Sequence, residues 1–278
     1  MVTDEDVHIT TIPGGRIESL TLPGGPGVPL VVLGGIETGL RPLAGTDAVL
    51  SRRWAGRTAR RSVTVIGRPL PDRPADAERL LHPRMAAESV ARVVEQLDAP
   101  VAIEAESGGG RIAMWLTVDR PELVSRLVLA SVAAETPADS PMAERMAQWI
   151  GMAERGQWAE FFARMAVQMK PGREAPADGF DVAARLQPRP ATPERFIGEL
   201  KGTLDPSSWV TGRLGEIAVP TLVLAGGQDQ IVPTASTRLV AERIGGARLE
   251  IDPECGHTVR SSFRGYEQLV ESFLAEGD

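Results

Sequence analysis

Residues 101–115 read VAIEAESGGGRIAMW, an apolar run followed by a serine among very small residues and then by a helical pattern. The apolar run is typical of a buried strand, whereas Ile112 and Trp115 lie on one face of a helix. The stretch therefore predicts a strand, a sharp turn and a helix, with Ser107 at the apex of the turn.

The small neighbours of Ser107 have a steric reason. A nucleophile on a strained turn crowds the backbone two residues before and two residues after it, and Ala105 and Gly109 leave that space. The pattern is G-x-S-x-G with Ala105 in place of the first glycine. The alternative is a glycine-rich loop that begins a helix and binds a phosphate. The spacing matches neither of the two common phosphate-binding patterns, which favours the nucleophile.

Length and charge limit the class of protein. The chain has 278 residues, enough for one large α/β domain with an insertion or for two small domains. Its net charge of −7 argues against nucleic acid or an anionic membrane as a partner. No run reaches the roughly 18 apolar residues of a membrane span, and the acidic N-terminus does not resemble a signal peptide. The single cysteine, Cys255, permits a reducing compartment. We therefore expect a cytoplasmic monomer or homodimer that binds a small molecule.

Buried strands alternate with helical patterns along most of the chain. A hairpin of two short strands is predicted at 7–12 and 17–22. Buried strands follow at 28–33, 62–66, the run from Val101, 123–131, 220–225 and 247–251. Helices are predicted within 45–58 and at 85–97, after Ser107, and at 234–244 and 262–274. Crossover helices between buried strands predict a mostly parallel central sheet with helices on both faces.

The pattern changes between 135 and 208, where it is helical, interrupted by prolines and rich in methionine and tryptophan. We therefore expect core segments at 1–134 and 209–278, with a helical cap at 135–208 inserted late in the sheet. The apolar cap residues pack against one another or line a pocket above Ser107, and both uses are compatible. The candidates for the pocket are Met142, Met146, Trp149, Phe161, Phe162 and Met165.

A serine hydroxyl needs a base to become a nucleophile, and the base needs an orienting group. Of the three histidines, His8 lies in the acidic N-terminal segment and His82 precedes a proline ahead of a helix, which suggests a bystander and a loop or cap residue. His257 follows a C-terminal strand, and Asp229 follows another. Sites of open α/β sheets lie at such strand ends, so Ser107, Asp229 and His257 form the candidate triad. A surface histidine and a turn aspartate are the structural alternatives.

From about residue 28 to the C-terminus the chain resembles the α/β-hydrolase superfamily, in the capped group of lipases, esterases and haloperoxidase-like enzymes. Three blocks carry the resemblance: residues 106–113 around Ser107, residues 220–233 with Asp229, and Gly256-His257 after a strand. Their order is that of the Ser, Asp and His of α/β-hydrolases.

The resemblance implies an oxyanion hole made by two backbone N–H groups. One belongs to Gly108, directly after the nucleophile, and the other to Ile36. The family usually has His-Gly-x in the second loop, whereas this chain has Gly34-Gly35-Ile36. The neighbouring Gly35 and Glu37 are further candidates for substrate contact.

The resemblance also implies a reaction. Ser107 attacks a carbonyl carbon, His257 takes its proton and Asp229 orients the imidazole, so that a carboxylic ester, thioester or lactone is hydrolysed through an acyl-enzyme. The missing loop histidine and Glu37 keep a non-hydrolytic reaction open, such as perhydrolysis, C–C bond cleavage or cyclisation. A binding protein on the same scaffold is the third alternative, although degenerate members commonly lose one of the three residues. Histidine and cysteine spacing does not fit a metal site, and we expect no cofactor.

Overall fold

The computed structural model describes residues 7–36, 43, 47–97, 100–169 and 192–276. In this part of the chain eight strands form one sheet. They are β1 (Val7–Ile12), β2 (Gly15–Leu33), β3 (Arg61–Ile66), β4 (Leu70–Pro71), β5 (Val101–Glu106), β6 (Val124–Ala130), β7 (Thr221–Gly226) and β8 (Arg248–Asp252).

The strands predicted at 17–22 and 28–33 are two legs of the single long strand β2. Ser19–Leu22 pair with β3 in descending order, whereas Leu30–Leu33 pair with the same residues of β3 in ascending order. β3 therefore lies between the two legs. The bend is tight, because a Cβ on Gly24 would lie 2.0 Å from a carbonyl oxygen of β3. A glycine is required where two backbone segments approach so closely.

Parallel neighbours continue from the second leg of β2 through β5, β6 and β7 to β8. Leu33 lies opposite Ala105, and Gly226 lies opposite Asp252. The carboxyl ends of these strands thus form one edge of the sheet. Ligand sites of open α/β sheets lie at this edge.

Ten α-helices occur in the described residues, and those of the core cover both faces of the sheet. They are α1 (Asp47–Thr58), α2 (Ala77–Leu81), α3 (Pro83–Val94), α4 (Gly108–Asp119), α5 (Pro141–Glu154), α6 (Trp158–Met169), α7 (Pro193–Leu204), α8 (Thr234–Arg243), α9 (Val259–Ser262) and α10 (Tyr266–Ala275). On one face α3, α4 and α8 pack against Val31 and Leu33. On the other, α1 and α10 pack against Leu30 and Val32, as strand alternation requires. The mostly parallel sheet with helices on both faces is confirmed.

Two elements differ from the sequence prediction. The helix predicted at 262–274 begins only at Tyr266, as α10, and the short helix α9 precedes it, because Gly265 adopts a φ of 75° that a continuous helix does not allow. Between β3 and α3, where the sequence pattern predicts neither a strand nor a helix, the structure has the short strand β4 and the helix α2. Two residues of strand and five of helix are too short for a periodic pattern.

The helices α5, α6 and α7 come from the region 135–208 that is predicted as a cap, and we call these three helices the cap. Their apolar faces form a third cluster, separate from the two clusters on the sheet, around Met146, Phe161 and Phe196. No helix among the described residues has the length and apolar character that crossing a membrane requires.

Candidate active site

Ser107 lies on a strained turn between β5 and α4. Its φ is 51° and its ψ is −123°, a conformation that costs a non-glycine residue free energy. Its N–H donates to the carbonyl of Ala130 at 2.9 Å, and its own carbonyl accepts from Gly110 N at 2.9 Å. The sheet and the first turn of α4 together hold the hydroxyl at the edge of the sheet.

The turn has no room for side chains around the serine. A methyl group at Gly109 would lie 2.4 Å from the carbonyl oxygen of Leu33, and one at Gly110 would lie 2.2 Å from Cγ1 of Val132. Glycines therefore allow α4 to start directly against the end of β2.

We expect Gly109→Ala to destabilise the protein by about 1–3 kcal/mol, the usual cost of overpacking, and to displace Ser107. The urea unfolding midpoint measures the first effect, and the rate of labelling by a serine-directed fluorophosphonate measures the second. Gly212→Ala is the matched control, because no heavy atom lies within 4 Å of the added methyl group. An unchanged midpoint and labelling rate in Gly109→Ala would contradict the steric argument.

The structure brings together the three residues of the candidate triad. His257 Nε2 lies 3.0 Å from Ser107 Oγ, and His257 Nδ1 lies 2.8 Å from Asp229 Oδ2. The other oxygen of Asp229 accepts the N–H groups of Ile231 at 2.8 Å and Val232 at 2.9 Å. The side chains of His257 and Asp229 are only 6% and 1% exposed.

This hydrogen-bond pattern determines what each atom can do. Because two backbone N–H groups hold Oδ1 of Asp229, only Oδ2 is left for the imidazole. A carboxylate oxygen accepts, so Nδ1 of His257 carries a proton and donates it. Nε2 of neutral His257 is then an acceptor that faces the hydroxyl of Ser107. The arrangement can remove the hydroxyl proton during attack on a carbonyl.

Residues 35 and 36 lie against the serine from the end of β2. A Cβ on Gly35 would lie 3.3 Å from Cβ of Ser107, and one on Gly108 would lie 2.8 Å from Cγ1 of Ile36. In the described part of the chain, no hydrogen-bond acceptor faces the N–H of Ile36 or of Gly108. Gly108 and the side chain of Ile36 are thus in contact, next to Ser107.

Four further residues are close to the candidate site in sequence or share a residue type with it: Glu37, Glu106, Cys255 and His82. Glu37 lies outside the described residues. Glu106 is 3.6 Å from the guanidinium of Arg53 on α1. Cys255 is buried, and burial raises the pKa of its thiol to about 11, so that it is a poor nucleophile at neutral pH. His82 caps α3 by accepting the N–H of Arg84, as predicted for a cap residue.

A cavity of about 420 Å³ opens above Ser107 and His257. Gly35, Met142, Met146, Trp149 and Met165, all predicted as candidates, line it. Residues that were not predicted also line it, among them Met169, Ile231, Val232, Arg53, Arg111 and Arg260. For Ile231 and Val232 a sequence signal was present, because they lie two and three residues after Asp229 in the same loop.

The prediction that Phe161 and Phe162 line the pocket is wrong. Both belong to an aromatic cluster inside the cap, where Phe161 is 4.9 Å from Phe196 and 5.7 Å from Trp149 between ring centroids. Periodicity marks them as buried but does not say which element covers them. Neighbouring cap helices cover them here.

Arg111 donates hydrogen bonds to both chain segments that connect the core to the cap. Its guanidinium donates to Ala133 O at 3.2 Å and Thr136 Oγ1 at 2.8 Å, where the chain leaves the core. It also donates to Thr203 O at 2.7 Å and Ser208 Oγ at 3.0 Å, where the chain returns. The residue lies one helical turn after Ser107, so these hydrogen bonds join both cap connections to α4.

The guanidinium of Arg111 lies beside the cavity, where the charge of Glu135 acts on it and opposes the effect of burial on its pKa. Among the described residues, none places a carboxylate oxygen within 4.0 Å of this guanidinium. Burial lowers its pKa to about 10, which still leaves it a cation at neutral pH. Arg53 and Arg260 also line the cavity, but their guanidinium groups are paired with Glu106 and Glu104.

Comparison with known proteins places this site in a wider group. A family model described as serine aminopeptidase S33 (Hydrolase_4) matches residues 84–261, more than half of the chain. The matched segment includes Ser107, Asp229 and His257.

Two curated relatives and one solved structure are similar over most of their lengths. A pimeloyl-[acyl-carrier protein] methyl ester esterase of Neisseria meningitidis serogroup B is 28% identical over 196 residues, 66% of this chain and 73% of the relative. A 2-hydroxymuconate semialdehyde hydrolase of Pseudomonas sp. strain CF600 is 26% identical over 274 residues, 91% of this chain and 89% of the relative. An alpha/beta hydrolase from a Medee basin deep-sea metagenome library has a TM-score of 0.79 at 18% identity, covering 98% of each chain. This similarity confirms the predicted fold.

Proposed function

Because the chain belongs to the α/β-hydrolase family described by the serine aminopeptidase S33 model, we propose that it is a serine hydrolase that forms an acyl-enzyme on Ser107. Its substrate is a carboxylic ester, thioester or lactone. The observation that supports this most directly is the chain of hydrogen bonds from Asp229 through His257 to Ser107.

The proposed reaction uses these three side chains in fixed roles. His257 Nε2 accepts the hydroxyl proton as Ser107 Oγ attacks the carbonyl carbon, and the resulting imidazolium gives that proton to the leaving alkoxide or thiolate. Water then attacks the acyl-enzyme with His257 again as base, which restores the hydroxyl of Ser107. Asp229 holds the imidazole in the required tautomer and stabilises its charged form.

The oxyanion hole is proposed to consist of the N–H groups of Ile36 and Gly108. Both are free of acceptors in the described residues and lie beside Ser107. Gly108 also begins α4, whose N-terminal end carries a positive partial charge. Loss of one such donor usually lowers kcat by about 10²–10³.

The cavity favours a substrate with an apolar acyl group. Its volume of about 420 Å³ is within the range of small-molecule sites, and methionines and Trp149 form much of its wall. Methionine side chains adapt to ligands of different shape. The methyl ester esterase among the relatives supports ester chemistry.

A carboxylate-bearing substrate is the second candidate, favoured by the buried charge of Arg111. An apolar chain that ends in a carboxylate would satisfy both the methionine wall and this cation. A half-ester of a dicarboxylic acid, tested against its dimethyl ester, separates the two substrate classes.

Labelling with a fluorophosphonate probe tests the proposed function. We expect the wild type to be labelled and Ser107→Ala to remain unlabelled. A panel of p-nitrophenyl esters, thioesters, lactones and half-esters then defines the substrate class, and an aminoacyl p-nitroanilide examines the peptide-bond chemistry in the family's description. If folded wild-type protein is neither labelled nor active on the panel, the proposal is wrong.

A further inference from the structure

A buried ion pair joins the cap to the core directly behind the catalytic serine. Arg68 follows β3, and its Nε lies 2.9 Å from Oε1 of Glu199 on the cap helix α7. The two side chains are only 1% and 3% exposed. The residues are 131 positions apart in sequence, so the contact exists only when α7 packs on the core.

The same guanidinium holds the loop that supplies one of the proposed oxyanion donors. Arg68 Nη2 donates to the carbonyl of Gly34 at 2.9 Å. Fixing this oxygen fixes the planar peptide group between Gly34 and Gly35, immediately before the peptide group that carries the N–H of Ile36. Two consecutive glycines leave the loop many backbone conformations, so a contact from outside must select one.

The other donor lies against the same ion pair. A Cβ on Gly108 would be 3.3 Å from Oε1 of Glu199 and 3.5 Å from Nη2 of Arg68. The pair therefore borders the backbone on both sides of the proposed hole.

We propose that Arg68, held by Glu199 of the cap, is a positioning residue for the oxyanion hole. The hole is complete only when α7 is seated on the core. This inference rests on the proposed function, because it concerns the same reaction.

Attachment of the cap to the core does not by itself explain why the Arg68–Glu199 ion pair is present. A buried ion pair can often be replaced by apolar side chains without loss of stability, so two charges are not needed to attach a helix. The contact with Gly34 does need a donor at the position of the guanidinium. Burial raises the pKa of Glu199, and the nearby charge of Arg68 opposes that shift.

The test compares a ligand that needs the oxyanion hole with one that does not. Trifluorooctan-2-one forms a bond from Ser107 Oγ to its carbonyl carbon, the hydroxyl proton passes to His257, and the carbonyl oxygen becomes an oxyanion. Octan-2-one has the same chain but binds without forming this adduct to a comparable extent. Both are measured as inhibitors of p-nitrophenyl hexanoate hydrolysis.

The variants separate positioning from packing. Arg68→Met/Glu199→Met removes both charges of the pair together and keeps apolar volume, while the charge of the buried Arg195, which also acts on Glu199, stays in place. Arg68→Met alone removes the hold on Gly34, and Glu199→Gln keeps an acceptor for Arg68. Lys201→Met is the control on the same helix, since Lys201 is exposed and has only a 4.0 Å contact with Glu154.

In the double variant and in Arg68→Met we expect kcat to fall by about 100-fold with KM changed less than about threefold, as for a lost oxyanion donor. The affinity for the trifluoromethyl ketone should fall by a similar factor, while that for octan-2-one stays constant. Glu199→Gln should keep most of the wild-type kcat, and Lys201→Met should match the wild type.

Equal losses for both ketones, or a folded double variant with wild-type kcat, would overturn the inference while leaving the serine hydrolase intact. Failure of the proposed function gives a different result. In that case the wild type itself would show no fluorophosphonate labelling and no preference for the trifluoromethyl ketone.

Discussion

Replacing His257 with alanine is expected to lower kcat on a p-nitrophenyl ester by about 10⁶, as for removal of the base in other serine hydrolases. The reason is the 3.0 Å contact between His257 Nε2 and Ser107 Oγ. Without the imidazole no described side chain within hydrogen-bonding distance can take the hydroxyl proton. The residual rate would come from the oxyanion hole and substrate binding alone.

The double variant tests this prediction most directly, because the effects on kcat of residues that act together do not add. Ser107→Ala/His257→Ala should be no slower than either single variant, because the residues act as one unit. His82→Ala is the control, since His82 caps α3 outside the cavity and its loss should affect stability only. Rate losses that multiply in the double variant, or a His257→Ala enzyme within tenfold of wild type, would show that His257 is not the base.

The residues of the site that could be predicted from the sequence are those marked by local sequence patterns. Ser107 was identified by a buried strand before it and small residues around it, and Asp229 and His257 by their places after strands. Each pattern depends on residues within a few positions, and the sheet topology then brings the three strand ends together. The interresidue distances between Ser107, Asp229 and His257 follow from the fold rather than from any further signal.

The parts that were missed depend on contacts between distant segments. Arg68 and Glu199 read as two ordinary charged residues, because nothing near either indicates a partner in another element. Arg111 likewise is a charged residue in a mostly apolar helix sequence, yet its four acceptors come from both ends of the cap. For Phe161 the helical period indicated a buried face but left open whether a pocket or neighbouring cap helices cover it, and the structure shows the second.

These missed contacts share one structural consequence. Arg111 ties the cap connections to the helix that begins after Ser107, and Arg68 ties α7 to the loop before Ile36. The cap is therefore joined to both sides of the reacting centre as well as forming the roof of the cavity. We therefore expect changes in the cap sequence to alter the rate of the proposed reaction even where they leave every proposed substrate-contacting residue unchanged.

Asp229→Asn is expected to lower kcat by about 10⁴ while the fold is retained. The amide oxygen of asparagine can still accept the N–H groups of Ile231 and Val232, so the loop keeps its shape. The amide NH₂ would then face Nδ1 of His257 in place of a carboxylate oxygen. A donor there favours the tautomer that carries its proton on Nε2, which can no longer accept the proton of Ser107.

Asp252→Asn is the matched control for this substitution. Asp252 also accepts backbone N–H groups with both carboxylate oxygens, those of Glu254 at 3.0 Å and Arg264 at 2.8 Å, but it has no contact with a histidine. Its replacement should leave kcat within about threefold of wild type, in line with a change outside the reacting groups. Steady-state kinetics on the same ester, with circular dichroism of both variants, makes the comparison. If Asp229→Asn kept more than a tenth of the wild-type kcat, the carboxylate would serve the loop rather than the imidazole, and the triad would reduce to a Ser107–His257 pair.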